Sequence, residues 1–176
     1  MITFAARLAM CISLWLSLLA PVQAQQIDAP IQQVLQAHGE IIIKSSRRTI
    51  GPAIEALASS GLDDAQTVLQ RWQDKAIRFN RETQTFVFAE ETDDGQFRLF
   101  DVAGGDLIGT ADKRAFKQLK PNSGIRGLIA SALVQFQLNA PDPVVRDTAI
   151  TSIERDPNAS HLQALRGAIK SETNPD

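Results

Sequence analysis

The hydrophobic period of this 176-residue chain changes abruptly after Lys75. Up to that point, apolar residues recur three or four positions apart, which is the spacing of one helix face. Residues 76–110 instead form short runs rich in Phe, Val, Ile and Thr, separated by turn signals such as Asp93-Asp94-Gly95. Helical spacing returns at Asn122. The pattern predicts a mainly α chain with a small antiparallel β-meander inserted at about 76–110.

The inserted meander has four predicted strands, over 76–80, 85–89, 96–102 and 107–110. The turn before the last strand contains Gly104-Gly105, and glycine pairs also occur in loops that bind phosphate. Here no Lys-Ser or Lys-Thr pair follows the glycines, and no long helix begins after them. The pair therefore indicates a plain turn.

Two amphipathic helices before the meander form a predicted helical hairpin. The first covers 45–59 and ends before Gly61, and the second begins after Asp63, which we expect to cap it. A shorter helix over 28–37 precedes them and ends at Gly39. A helical hairpin cannot bury its apolar face alone, so it packs against neighbours. The positions predicted to face the core are Ile50, Ile54, Leu57, Ala58, Val68, Leu69 and Trp72.

A long amphipathic helix is predicted after Asn122, which we expect to be its cap. One face carries apolar residues at intervals of three and four, and Arg126 and Gln135 fall on the opposite side. This helix is therefore expected to bury one side against the rest of the core. Its apolar positions are Ile125, Leu128, Ile129, Ala132, Leu133 and Phe136.

Two further helices follow as a predicted pair. The first begins at Asp142-Pro143 and the second ends near Lys170, with a break at 156–158. A similar start signal returns at 173–176, about 33 residues later, so we expect HEAT-like helix pairs and a longer protein in which another repeat begins. The predicted buried positions of the pair are Val145, Ala149, Ile153, Leu162, Leu165 and Ile169.

Residues 1–24 have the pattern of a secretory signal peptide. Arg7 is the one charged residue among them, 8–20 is an apolar run, and Val22-Gln23-Ala24 fits a signal peptidase site. The alternative is a retained membrane anchor, but the run is shorter than the roughly 20 residues that span a bilayer. We therefore expect an exported chain that begins at Gln25. Its single cysteine, Cys11, is lost with the leader, so no disulfide is expected.

The charge balance argues against nucleic acid as a partner. The chain has 18 Lys and Arg residues against 20 Asp and Glu residues, whereas affinity for nucleic acid comes mainly from clustered cations that neutralise phosphates. The densest basic stretch covers 113–120. We interpret it as a solvated helix face or a loop.

No arrangement typical of catalysis or metal binding is present in the sequence. His38 lies beside Gly39 at a predicted helix end and His161 in a first helical turn, where we expect it to be exposed. The acidic pairs Glu90-Glu91 and Asp93-Asp94 lack the alternating spacing of a calcium loop and indicate a solvated turn. No serine lies in a nucleophile elbow. The sequence predicts no enzyme, no catalytic, cofactor-binding or metal-binding residues, and no cofactor.

The order of these parts resembles the N-terminal extracytoplasmic region of the urea ABC transporter permease, the UrtB-type member of the branched-chain amino acid permease group. Three segments carry the resemblance: 86–91 (Phe-Val-Phe-Ala-Glu-Glu), 100–109 (Phe-Asp-Val-Ala-Gly-Gly-Asp-Leu-Ile-Gly) and 141–146 (Pro-Asp-Pro-Val-Val-Arg). In that family a similar region precedes the membrane-spanning permease. No such membrane segment is present in this chain, so no residue of a translocation pathway is assigned to it.

The resemblance implies a non-catalytic domain at the periplasmic face of the bacterial inner membrane that helps substrate import by positioning or protein contact. Its implied partners are the other subunits of the transporter and a periplasmic solute-binding protein, with the membrane reached only through a downstream permease segment. A free-standing periplasmic HEAT-like scaffold unrelated to transport is the alternative. A small periplasmic hydrolase that uses the acidic meander is a third hypothesis.

Overall fold

The structure, a computed structural model, describes residues 29–172 except 156, 158 and 160. The predicted signal peptide at 1–24 and the start signal at 173–176 lie outside the described residues. So do two of the three positions of the predicted break at 156–158.

Seven helices occur in the described part of the chain. Four precede the sheet: α1 at Pro30–Ala37, α2 at Gly39–Lys44, α3 at Gly51–Ala58 and α4 at Asp64–Gln73. Three follow it: α5 at Ser123–Leu138, α6 at Pro143–Arg155 and α7 at His161–Ser171. None of the helices in this part of the chain is long and apolar enough to cross a membrane.

The strands form one five-stranded antiparallel sheet with the order β4-β3-β2-β1-β5. The first four strands run in sequence as a meander, and β5 returns to pair with β1 at Arg78↔Gln118 and Phe79↔Lys117. A 3-10 turn at Lys113–Ala115 leads from β4 into β5. The strands are β1 at Ile77–Asn80, β2 at Phe86–Glu91, β3 at Phe97–Phe100, β4 at Leu107–Ala111 and β5 at Phe116–Gln118.

The sheet is strongly curled. Strands β3 and β5 are separated by two others, so they would lie about 14 Å apart in a flat sheet. The rings of Phe97 on β3 and Phe116 on β5 nevertheless meet edge to face, with their centroids 6.0 Å apart. The short segment 112–115 also joins the two edge strands directly. The sheet therefore curves into a partly closed barrel, and a small apolar core of Val87, Ala89, Phe97, Leu99 and Phe116 fills its concave side.

The expectation of a mainly α, HEAT-like fold with a small inserted meander is wrong, because the chain is a mixed α/β fold with a substantial sheet. The meander does not end near 110, since the sheet continues to Gln118. The basic stretch at 113–120 is neither a helix face nor a plain loop. It contains the 3-10 turn and β5, with Phe116 and Leu119 buried on either side of Lys117 and Gln118.

The main core lies between the other side of the sheet and the helices. Strands β1 and β2 contribute Ile77, Phe79, Phe86 and Phe88, and Trp72 of α4 is fully buried beside them. Helix α5 packs against α3 and α4. Its N-terminus is capped as expected, because the Asn122 side chain accepts a hydrogen bond from the Ile125 N–H at 3.0 Å. Of the predicted α5 stripe, Ile125 and Ile129 are fully buried and the other four positions are half-buried against the same core.

The first helices differ from their predicted bounds. Gly39 does not end the helical region, because α2 begins there, and Ser45 in a left-handed conformation (φ 52°) ends α2 instead. Helix α3 begins at Gly51 rather than at 45. Asp63 stands before α4 as expected, but its side chain makes no capping hydrogen bond. The chain turn at Gly61 (φ 69°) is as predicted, since this conformation favours glycine.

The last two helices do not form the predicted hairpin. Both α6 and α7 pack against α5, and they have few direct contacts with each other. A small third cluster of Leu138, Ala149 and Ile153 forms where they meet α5. On α6, Ala149 and Ile153 are buried as predicted, but the prediction was wrong for Val145, which is 38% exposed. On α7 the prediction was wrong at two positions, because Leu162 is 52% exposed and Ile169 is 74% exposed.

Arg146 joins α6 to the end of α7. Its guanidinium donates two hydrogen bonds to the carboxylate of Glu172, at 2.6 and 2.7 Å. It also donates to the carbonyl oxygens of Ala140 and Pro141, each at 2.9 Å. The planar guanidinium suits this paired geometry. Arg146 therefore fixes the start of α6 relative to the residue that follows α7.

Candidate functional site

A groove of about 280 Å³ lies between α4 and the sheet, beside the turn at Gly104-Gly105. Both glycines have left-handed backbones, with φ of 89° and 79°, which lets the turn close tightly. Its floor is made by Phe88, Phe100 and Val102. The polar residues on its walls are Asp64, Thr67, Arg71 and Glu90.

The turn is attached to α4 through a hydrogen bond. The N–H of Gly104 donates to Oδ1 of Asp64 at 3.0 Å, across 40 positions of sequence. Asp64 opens α4, where a carboxylate also favours the positive end of the helix dipole. The glycine pair thus forms a plain turn between β3 and β4. Through Asp64, it also fixes this turn against α4 at one side of the groove.

Glu90 joins two arginines above the aromatic floor. Its carboxylate accepts a hydrogen bond from Arg98 at 3.2 Å and lies 3.8 Å from Arg71. The Arg71 guanidinium stands over the ring of Phe88, with 5.7 Å from Cζ to the ring centroid. All three charged side chains are about half-exposed, so each ion pair stabilises the fold by at most about 1 kcal/mol.

The two carboxylates of the groove are held by partners within the fold. Both carboxylates have partners: Asp64 accepts from a backbone N–H, and Glu90 faces two guanidinium groups. An apolar floor beneath paired charges offers a partner both area and orientation.

The acidic residues that the sequence placed at one hairpin end point in different directions. Glu90 faces Arg98 and Arg71, whereas Glu91 pairs with Lys113. Asp94 stays within its own turn and accepts hydrogen bonds from the Thr92 hydroxyl and the Gln96 N–H. Across the described residues, no group of three or more His, Cys, Asp and Glu side chains gathers as a metal site would require.

A second charged cluster lies at the end of the barrel. Arg78 and Lys113 both stand over the ring of Phe97, at 5.0 and 5.6 Å from its centroid. Burial lowers the pKa of the Arg78 guanidinium, while the negative charge of Glu91 opposes that shift. Arg78 also donates to the carbonyl oxygen of Lys75 at 2.5 Å. The cluster covers the concave apolar core with polar groups, which is a structural role.

The two histidines lie far from the groove in sequence and have different surroundings. His38 is half-buried at the junction of α1 and α2. His161 was expected to be exposed, and that expectation is wrong, because the side chain is only 6% exposed. Among the described residues, neither ring nitrogen of His161 has a hydrogen-bond partner.

Large apolar side chains are exposed mainly on the last two helices. Of the six exposed ones among the described residues, Leu107 is on β4 and the other five are on α6 and α7. Leu162 and Ile169 stand seven positions apart, two turns along the same side of α7. On α6, Val144, Val145 and Ile150 are exposed, but they lie about 100° to 140° apart around the helix axis and so do not share a side. We call the side of α7 that exposes Leu162 and Ile169 the C-terminal apolar surface. Val145, Leu162 and Ile169 match a buried stripe in the sequence, so their exposure was not predicted.

Comparisons of the chain with protein-family models, with curated proteins and with solved structures find no match. The resemblance to the urea transporter permease region therefore rests on the three sequence segments alone.

Proposed function

We propose that this chain is a non-catalytic protein-contact domain of a urea or branched-chain amino acid-type ABC transporter permease, acting on the outer side of the membrane. It helps import by positioning a periplasmic solute-binding protein. The observation that carries the proposal is the C-terminal apolar surface, because two large apolar side chains exposed on one side of a helix favour contact with another protein. The transporter setting comes from the resemblance of segments 86–91, 100–109 and 141–146.

The way α6 and α7 are held supports a positioning role. Both helices pack on α5, and α5 packs on α3 and α4 of the main core. Arg146 fixes the start of α6 to Glu172 beyond α7. A partner seated on these helices is therefore connected to the main core through the packed side chains of α5.

The binding test compares the full chain with charge variants on α7. Ile169→Glu and Leu162→Glu each place a carboxylate on the C-terminal apolar surface, so each should weaken binding of the solute-binding protein at least tenfold in a surface plasmon resonance titration. Gln70→Glu is the matched control, because it makes the same charge change at an exposed position of α4. It should leave affinity within twofold.

The same proposal predicts that urea alone does not bind the chain with useful affinity. Titration calorimetry with urea should show no saturable heat, whereas tight binding would contradict the positioning role. If no transporter component binds the wild-type chain, the free-standing periplasmic scaffold becomes the better explanation. Hydrolysis of a substrate by the purified chain would favour the third hypothesis.

A further inference from the structure

Strand β4 lies at the edge of the sheet and pairs only with β3. Thr92 and Gln96 form a hydrogen-bonded pair, because the Thr92 N–H donates to the Gln96 oxygen. Hydrogen-bonded and non-hydrogen-bonded pairs alternate along β2 and β3 from there. This alternation directs the backbone groups of Phe97 and Leu99 toward β4, where their partners are Ala111 and Gly109. The ladder shifts register between Leu99 and Phe100, so the alternation can be followed along β4 only from Gly109 to Ala111. Between these two residues, the backbone groups of Thr110 point away from the sheet, into the open edge.

Strand β4 has a register shift against β3, but it lacks two other features that protect an edge strand, a charge and a proline. Proteins discourage added strands with charged side chains, proline or a covering element. The sequence of β4 is Leu-Ile-Gly-Thr-Ala, without a charge or a proline, and Leu107 is 60% exposed. The other edge strand differs, since β5 has Lys117 at its centre, with Nζ hydrogen-bonded to the Ile43 oxygen at 2.8 Å. Of the two edge strands described, β4 is therefore the one without a charge along its length.

Charge at the two ends of β4 selects the kind of strand that fits. Exposed aspartates flank it, Asp106 before and Asp112 after. A second copy paired about a two-fold axis at Gly109 would set Asp106 opposite Asp112 of the other copy, at both ends of the ladder. Like charges directly opposite each other destabilise a strand pair. The edge therefore disfavours self-pairing and favours a strand with positive ends.

We propose that the free edge of β4 binds an extended peptide segment of a partner protein, with a basic residue at each end of a short uncharged run. The two basic residues are six positions apart, matching the roughly 20 Å from Asp106 to Asp112 at about 3.3 Å per residue. The peptide adds a sixth strand, with main-chain hydrogen bonds for affinity and the aspartates for selectivity. This site goes beyond the proposed function, because it uses a different surface.

The test uses a seven-residue synthetic peptide with lysine at both ends and alternating threonine and valine between them. A second peptide has glutamate at both ends. In fluorescence anisotropy with the full chain at low salt, the lysine-ended peptide should bind at least tenfold more tightly than the glutamate-ended one. Salt should reduce that difference, because the aspartates are exposed and screened. Equal affinity for both peptides, or no saturable binding, would overturn the proposal.

Two variants locate the binding. Thr110→Pro removes an outward N–H and should weaken peptide binding at least tenfold, while Thr110→Val keeps the N–H and should stay within twofold. If Thr110→Pro does not fold by circular dichroism, Asp106→Lys decides. It leaves one basic and one acidic end on the edge, so the preference between the two peptides should disappear. Asp93→Lys makes the same charge change at an exposed turn and should leave the preference intact.

Two further outcomes would contradict the inference. Unchanged peptide affinity in folded Thr110→Pro would place the peptide elsewhere. Concentration-dependent dimerisation that Thr110→Pro abolishes would mean that a second copy occupies the edge. The proposed function is tested separately, because the solute-binding protein should still bind Thr110→Pro through the C-terminal apolar surface.

Discussion

The side chain of Gln32 completes the sheet at Phe86. Its Nε2 donates to the Phe86 oxygen at 2.9 Å, and its Oε1 accepts from the Phe86 N–H at 3.0 Å. Along β2, pairing with β3 starts at Phe88. Phe86 comes before that point, so its backbone has no strand neighbour on the β3 side. The fully buried amide of Gln32 takes the place of that neighbour. One helical side chain thus connects α1 to the sheet.

Gln32→Leu should destabilise the fold by about 2–4 kcal/mol, because it leaves a buried N–H and a buried carbonyl without partners. Gln36→Leu on the same helix is the control. Its one hydrogen bond, to the Gln84 oxygen at 3.2 Å, is exposed, so the change should cost less than about 0.5 kcal/mol. Urea unfolding of both variants measures the difference. Equal losses would show that the Gln32 pairing adds little.

The closure of the barrel can be tested at β5. Phe116→Ala removes one ring of the Phe97–Phe116 contact and opens a cavity in the concave core, so it should cost about 3–5 kcal/mol. Arg114→Ala, at an exposed position two residues earlier, should stay within about 0.5 kcal/mol. A loss of less than about 0.5 kcal/mol for Phe116→Ala, as at surface positions, would mean that 116–118 does not pack as a strand.

His161→Leu should leave stability unchanged or raise it by about 1 kcal/mol. A buried polar ring without a hydrogen bond costs free energy that an apolar side chain of similar size avoids. Ile153→Ala in the adjoining cluster should cost about 2–5 kcal/mol and confirms that the unfolding assay senses this region. A loss of more than 1 kcal/mol for His161→Leu would reveal a hydrogen bond made by the imidazole.

The turn between β2 and β3 should respond to acid. The hydrogen bond from the Thr92 hydroxyl, with that from the Gln96 N–H, lowers the pKa of Asp94 below its ordinary value of 3.8. A lowered carboxyl pKa stabilises the turn at pH above about 4, and the effect is lost as pH falls through the folded-state value. The Gln96 amide resonance should therefore be constant from pH 7 to 4 and shift below that. Asp94→Asn should abolish the shift and Asp93→Asn should keep it, whereas a midpoint above pH 4 would contradict this assignment.

Sequence periodicity was sufficient for the elements whose apolar residues sit at regular spacing. The strands β1 to β4 and the stripe of α5 are of this kind. Strand β5 was missed because it is three residues long and because its partner, Arg78 to Asn80, lies almost 40 positions away. No local pattern marks such a pairing.

The buried side of α7 was misplaced by one position for a different reason. Its inward stripe begins at His161 and continues through Ala164, Leu165 and Ala168. A polar histidine and two small alanines indicate burial less strongly than Leu162 and Ile169 do. The more hydrophobic side of the helix was therefore predicted to face the core. In the structure that side is exposed. The C-terminal apolar surface could not be predicted for the same reason, since the exposure of its residues depends on which side of α7 packs against α5.

Hydrogen exchange of the full chain with and without the transporter's solute-binding protein tests the central claim most directly. The account predicts slower amide exchange on α6 and α7, around Leu162 and Ile169, when the partner is saturating, because binding covers these helices. The loss of that protection in Ile169→Glu, with protection of the sheet core unchanged, would tie it to the C-terminal apolar surface. Unchanged exchange on both helices at saturating partner would contradict the claim.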